Sequence, residues 1–230
     1  MVYGLENILT MILLIISIII TSYAQIKIST NYSKYKKINS KKCLTGSEVA
    51  RKILDANNLS NIKINQVNGE LTDHYDPKKK SVNLSTSIYR GTSLASISVA
   101  AHECGHAIQD KVGYTFMKIR SMLVPLVNLV TYLGYFTIII SLVAGITVYL
   151  KTGIFIISAT LLFQLVTLPV EFNASSRAKK ELVKLGLIEN DEYKSVDNML
   201  SAAANTYVAS LLSSILQLFR LIIMLNDRDN

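Results

Sequence analysis

Residues 101–109 read AHECGHAIQ, and the fold turns on whether this stretch is a metal-binding helix. His102 and His106 stand four residues apart, and side chains at i and i+4 share one face of a helix. Two imidazoles so placed can converge on one ion, which zinc accepts at about 2.0–2.1 Å from each nitrogen. Glu103 sits one step round the helix, badly placed as a ligand but able to take a proton from a zinc-bound water. Gly105 leaves room for another backbone to approach, at some cost in helix propensity. The same five letters also occur by chance in proteins that bind no metal. Against chance stand the neighbours Val99, Ala100, Ala101, Ala107 and Ile108. Two histidines and a glutamate are costly to bury in such company unless paired or metal-bound.

Outward from the motif, charge disappears in long blocks. Residues 8–24, 121–150 and 152–170 contain no Asp, Glu, Lys or Arg. An apolar run of about 17–25 residues suits a helix crossing a hydrocarbon core about 30 Å thick. These blocks predict at least three spanning helices: an N-terminal anchor over 1–24 and a helical hairpin over 121–170, joined by a turn near Lys151-Thr152-Gly153. A cleavable signal peptide is the alternative for the first block. It would carry basic residues before its apolar core, whereas here Glu6 precedes and Lys27, Lys34, Lys36, Lys37, Lys41 and Lys42 follow. Residues 206–225 are long enough for a fourth span but contain Gln217 and Arg220. A spanning helix and an amphipathic helix in the interface both fit, with the span preferred.

The chain of 230 residues carries a formal net charge of +8. Lys and Arg gather in cytoplasmic loops, so the excess implies a lipid bilayer as neighbour and no nucleic acid. The stretch between the first two apolar blocks holds sixteen basic and seven acidic residues, whereas the opposite side has only Glu6 and Lys151 near helix ends. Residues 25–120 are therefore expected in the cytoplasm, and the hairpin returns residues 171–230 to the same face. Cys43 and Cys104 form no disulfide framework.

Within 25–120 the pattern is soluble. After a basic juxtamembrane stretch, Thr45-Gly46-Ser47-Glu48 reads as a capping box opening a helix with the apolar stripe Val49, Ile53, Leu54 and an end at Asn57-Asn58. Residues 61–67 and 81–85 alternate as strands, and Gly91-Thr92-Ser93 opens the motif helix, which runs to about Asp110.

A catalytic zinc takes three protein ligands and keeps one open position. The one further histidine is His74, so the third ligand is His74 or a carboxylate. Glu171 is the preferred choice, because a carboxylate directly after an uncharged span marks a functional position. Asp73, His74 and Asp76, before the second strand, suit a substrate-side role better.

The chain resembles the YugP-type neutral zinc metallopeptidases, bacterial membrane proteins. The resemblance rests on TGSEVARKIL at 45–54, LTDHYDPKKKSVNLS at 71–85, AAHECGHAIQ at 100–109, LPVEFNASSRA at 168–178 and AAANTYVA at 202–209. It implies a zinc peptidase related in logic to the HtpX-type gluzincins, with His102, His106 and Glu171 as ligands and Glu103 as base. In thermolysin-like and HtpX-like enzymes an aspartate one turn after the glutamate ligand orients a zinc histidine. Here that position is Ser175, so Ser175, Asn173 or a backbone carbonyl is left to do so.

The expected architecture is a mainly α membrane protein. A zincin-like catalytic unit, with an HExxH helix and a small sheet, joins three or four transmembrane helices. The expected function is a membrane-anchored endopeptidase with one Zn2+ per chain, acting on peptides or membrane proteins at the cytoplasmic face. Strand 81–85 is expected to be the edge that receives an extended substrate, and His74 and Tyr207 are candidates for a second oxyanion donor. The alternative is a non-catalytic multi-pass scaffold with a structural zinc, which needs no base at 103.

Overall fold

The computed structural model describes residues 2–143 and 148–229. Seven helices and three strands are found among them: α1 (Val2–Tyr35), α2 (Gly46–Ala56), β1 (Lys63–Val67), β2 (His74–Asp76), β3 (Ser81–Ser85), α3 (Thr86–Tyr89), α4 (Leu94–Lys111), α5 (Thr115–Val143), α6 (Val148–Lys184) and α7 (Tyr193–Asp229). The protein is mainly helical with one small sheet. They group into two compact units, each built from separated stretches of chain. One comprises Met1–Gln25, Ile119–Leu168 and Thr206–Asn230, and the other comprises Ile26–Lys118 and Pro169–Asn205.

The first unit holds the apolar lengths of the long helices. Among the described residues four helices are long and apolar enough to cross a membrane: Asn7–Tyr35, Thr115–Gly134, Lys151–Lys184 and Tyr193–Asn226. The block over 206–225 thus belongs to a fourth helix of spanning length and composition. Gln217 does not interrupt it, because its Nε2 donates to Ser17 Oγ of α1 at 3.0 Å. The expected turn at Lys151-Thr152-Gly153 is not there: all three residues are helical, within α6. A lone Lys and a lone Gly cost a helix little enough for its length to absorb. Gly153 serves packing instead, since a Cβ at that position would meet Leu221 Cδ1 at 3.1 Å.

The second unit is built around α4. Thr45 and Glu48 form the capping box that starts α2: the Glu48 amide donates to Thr45 Oγ1, and the Thr45 amide donates to Glu48 Oε2 at 2.8 Å. Val49, Ala50, Ile53 and Leu54 of α2 are fully buried with Ile97, Ala100, Ala101 and Cys104 of α4 and with Val82 and Leu84 of β3. The basic stretch after residue 24 continues as α1 to Tyr35, whose ring and that of Tyr32 join this core.

The sheet has the order β1-β3-β2, with β1 parallel and β2 antiparallel to β3. β3 is therefore the central strand, and every one of its residues is buried. The expectation that 81–85 offers a free edge is overturned, because β1 and β2 occupy both sides. The sequence reading overlooked β2, whose three residues are too short for alternation to be visible. A turn closed by Asp76 Oδ1, which accepts from the amides of Lys78 and Lys79 at 2.9 and 3.0 Å, folds it back onto β3.

Candidate metal centre

α4 begins at Ser93, whose hydroxyl accepts from the Ser96 amide, and most of its length is buried. One face carries His102 and His106 into contact with Glu171 on α6. His102 Nε2 lies 3.2 Å and His106 Nε2 3.7 Å from Glu171 Oε2. The two imidazoles meet edge to face, with centroids 4.8 Å apart and planes at 86°. All three ligand atoms lie within 4.8 Å of one another, so the set could hold a metal ion.

The donor set fits zinc. Two donors at about 2.0–2.1 Å from a tetrahedral ion stand about 3.3 Å apart, close to the 3.2 and 3.7 Å from Glu171 to the two histidines. Two imidazole nitrogens and one carboxylate oxygen are ligands zinc takes, and three leave a fourth position open. The Glu171 side chain is only 3% exposed, a burial that a carboxylate tolerates only beside counter-charge or metal.

Glu103 is itself buried, at 7% exposure, and accepts no hydrogen bond from the described residues. Cys104, beside it, points into the core, where its thiol donates to the Ala50 carbonyl at 3.6 Å. Complete burial pushes that thiol well above the usual cysteine range, so it stays protonated and is no ligand.

The backbones of α4 and α6 touch at this level. A Cβ on residue 105 would lie 2.5 Å from the Ala174 carbonyl oxygen, so only glycine permits the approach that brings Glu171 to the histidines.

A family model described as "Putative neutral zinc metallopeptidase" matches residues 10–226. The chain belongs to this family. One relative, the "Putative membrane protease YugP" of Bacillus subtilis (strain 168), is 44% identical over 208 residues, which cover 90% of this chain and 92% of that protein. No solved structure matches the chain.

Within this zinc metallopeptidase family member, the groups behind the two histidines can be named. Ser175 Oγ lies 3.2 Å from His102 Nδ1, at the position where the sequence left the orienting group open. Asn173 does not reach a histidine; its Oδ1 accepts from Gln109 Nε2 at 3.0 Å and from Arg177 Nε at 2.7 Å. Gln109, to which the sequence reading gave no role, places its Oε1 3.0 Å from His106 Nδ1. Its signal was available: it lies three residues past His106, on the same helical face.

Asp73, His74 and Asp76 are not part of the cluster. Asp73 binds the end of β3, accepting from the Ser85 amide at 2.7 Å and from Ser85 Oγ at 3.1 Å. His74 is held within the sheet, with Nδ1 2.8 Å from the Thr72 carbonyl and Nε2 3.3 Å from Asn83 Nδ2. Asp76 closes its turn, as described above. Tyr207 lies on the part of α7 that belongs to the other unit.

Proposed function

We propose that the protein is a zinc-dependent endopeptidase of the cell membrane, with one zinc per chain held by His102, His106 and Glu171, and with Glu103 as general base. The convergence of two imidazoles and a carboxylate beside a buried Glu103 that accepts no hydrogen bond from the described residues carries this reading. Zinc in such a site supplies a Lewis acid that brings the pKa of a water toward neutrality and polarises a carbonyl. Glu103 takes the proton of the attacking water as its oxygen adds to the scissile carbon. It then gives that proton to the departing amine as the C–N bond breaks. The three-donor set favours this over a structural zinc, which is closed by four protein ligands.

With β3 enclosed, an extended substrate would pair with the outer edge of β2, the free margin of the sheet nearest α4. Tyr75 and Lys80 hold that margin to the motif helix by donating to Asp110 Oδ2 at 2.7 and 2.6 Å. The charge distribution of the chain favours a cytoplasmic site. Substrates are then peptides or membrane proteins near the inner leaflet.

The test uses full-length protein in detergent with zinc and an unstructured protein substrate. Glu103→Gln should bind zinc as the wild type does and lose cleavage by several orders of magnitude. Wild-type protein that cleaves nothing the variant spares would sink the enzymatic reading and leave the scaffold.

A further inference from the structure

Gln109 is 0% exposed, and both ends of its amide are committed. Its Nε2 lies 2.8 Å from the Val170 carbonyl oxygen and 3.0 Å from Asn173 Oδ1. A backbone carbonyl can only accept, and that Asn173 oxygen is already identified by the Arg177 Nε that donates to it. Gln109 must therefore turn its NH2 toward α6 and its oxygen toward His106. An amide oxygen can only accept, so the imidazole of His106 carries its proton on Nδ1. The lone pair of the neutral ring is left on Nε2, the nitrogen that faces Glu171 Oε2.

We propose that Gln109 is the positioning residue of the metal centre, setting the tautomer of His106 and clamping the helix that bears the third ligand. The proposal rests on the reading of His102, His106 and Glu171 as zinc ligands. The groups behind metal-bound histidines are usually carboxylates, backbone carbonyls or water. A carboxylate would do the first task and not the second, because it has no N–H to give. The amide does both. Its donors hold Val170 and Asn173, which stand one residue before and two residues after Glu171, while its acceptor holds His106. One side chain thus ties two ligands on different helices, through a bond from Gln109 to Val170 that spans 61 residues of chain. His102 is reached from the other helix directly: Ser175, one turn past Glu171 on α6, places its Oγ on Nδ1.

The experiment measures zinc affinity of the full chain in detergent by chelator competition, together with 15N-histidine NMR of the zinc-loaded protein. With only three histidines, the spectrum can be assigned by single substitutions. Wild type should show a His106 Nδ1–H signal shielded from exchange. Gln109→Leu should lose that signal and bind zinc about 10–100-fold more weakly, a change that a purely packing role would not direct at one ring nitrogen. Gln109→Glu keeps the acceptor for His106 but sets oxygen against Val170 and Asn173. It should recover the signal and bind zinc with an affinity between the other two. If Gln109→Leu does not fold, the comparison rests on Gln109→Glu and Asn173→Ala, both of which should weaken zinc several-fold. Gln109→Leu with an affinity within twofold of wild type or an unchanged His106 signal would overturn the proposal, as would wild-type affinity in both Gln109→Glu and Asn173→Ala. Wild type that takes up no zinc would instead overturn the metal centre itself, and this proposal with it.

Discussion

Gly105 and Ala174 stand so close that a Cβ on the first would lie 2.5 Å from the carbonyl oxygen of the second. This contact sits next to His106 and three residues past Glu171, so the width of the metal site is set by the absence of one methyl group. Gly105→Ala should gain about 1 kcal/mol of helix propensity. It should lose about 1–3 kcal/mol to overpacking, because the obstructing atom is backbone and cannot rotate away. The net effect is a lower thermal midpoint and a zinc content well below that of wild type, read by a melt and by metal analysis of one preparation. Full zinc occupancy in the variant would show that α4 and α6 can part without moving Glu171.

What was legible in the sequence was what is local. The spacing of His102 and His106, the capping box of Thr45 and Glu48, and a lone carboxylate after nineteen uncharged residues at 152–170 each carry their meaning within a few positions. Strand order does not, so β3 looked like an edge until β2, three residues long, was found beside it. The turn expected at 151–153 failed because a charge and a glycine mark the end of an apolar block as readily as they sit within a helix. Gln109 was legible only in part: its spacing from His106 could be read, but its hold on α6 could not, because one of its partners there is the backbone carbonyl of Val170, and no side-chain pattern announces a carbonyl.

Asp73 ties the segment before β2 to the last residue of β3 through two hydrogen bonds to Ser85. Burial pushes its carboxyl above the usual aspartate range, against the lowering effect of those bonds. Folding therefore favours the protonated form. This contribution to stability is present below the ordinary carboxylate pKa and is lost as pH rises through the higher folded value. The stability difference between wild type and Asp73→Asn should consequently shrink as pH rises across that interval, as seen in melts at a series of mildly acidic pH values. Asp73→Ala, which leaves the buried Ser85 amide without its acceptor, should cost about 1–3 kcal/mol. A difference between wild type and Asp73→Asn that is independent of pH would exclude the titration.

In the first unit the bond from Gln217 to Ser17 joins α7 to α1. Ser17 is 2% exposed and also donates to the Leu14 carbonyl, so its hydroxyl is satisfied on both sides. Interhelical hydrogen bonds in membranes average about 0.6 kcal/mol and reach about 1.7 kcal/mol. Gln217→Leu should therefore lower resistance to detergent unfolding only slightly, and peptidase activity should follow the folded fraction. A loss of several kcal/mol would mean that the chain continuing to Arg220 holds more than this one contact.

Removal of metal should be felt as stability. A ligand that binds only the folded state stabilises it by RT ln(1 + [L]/Kd), about 2.7 kcal/mol at a hundredfold excess over Kd. Adding a chelator to zinc-loaded protein should then lower the thermal midpoint by several degrees. Glu171→Ala, which leaves two imidazoles and no carboxylate, should unfold near the chelated wild type and respond little to chelator. His74→Ala should keep the full response, because in the wild type Asn83 and the Thr72 carbonyl already engage both nitrogens of that ring. If instead Glu171→Ala keeps the response and His74→Ala loses it, the third ligand comes from the sheet. The 3.2 Å approach of Glu171 to His102 would then be an ion pair and nothing more.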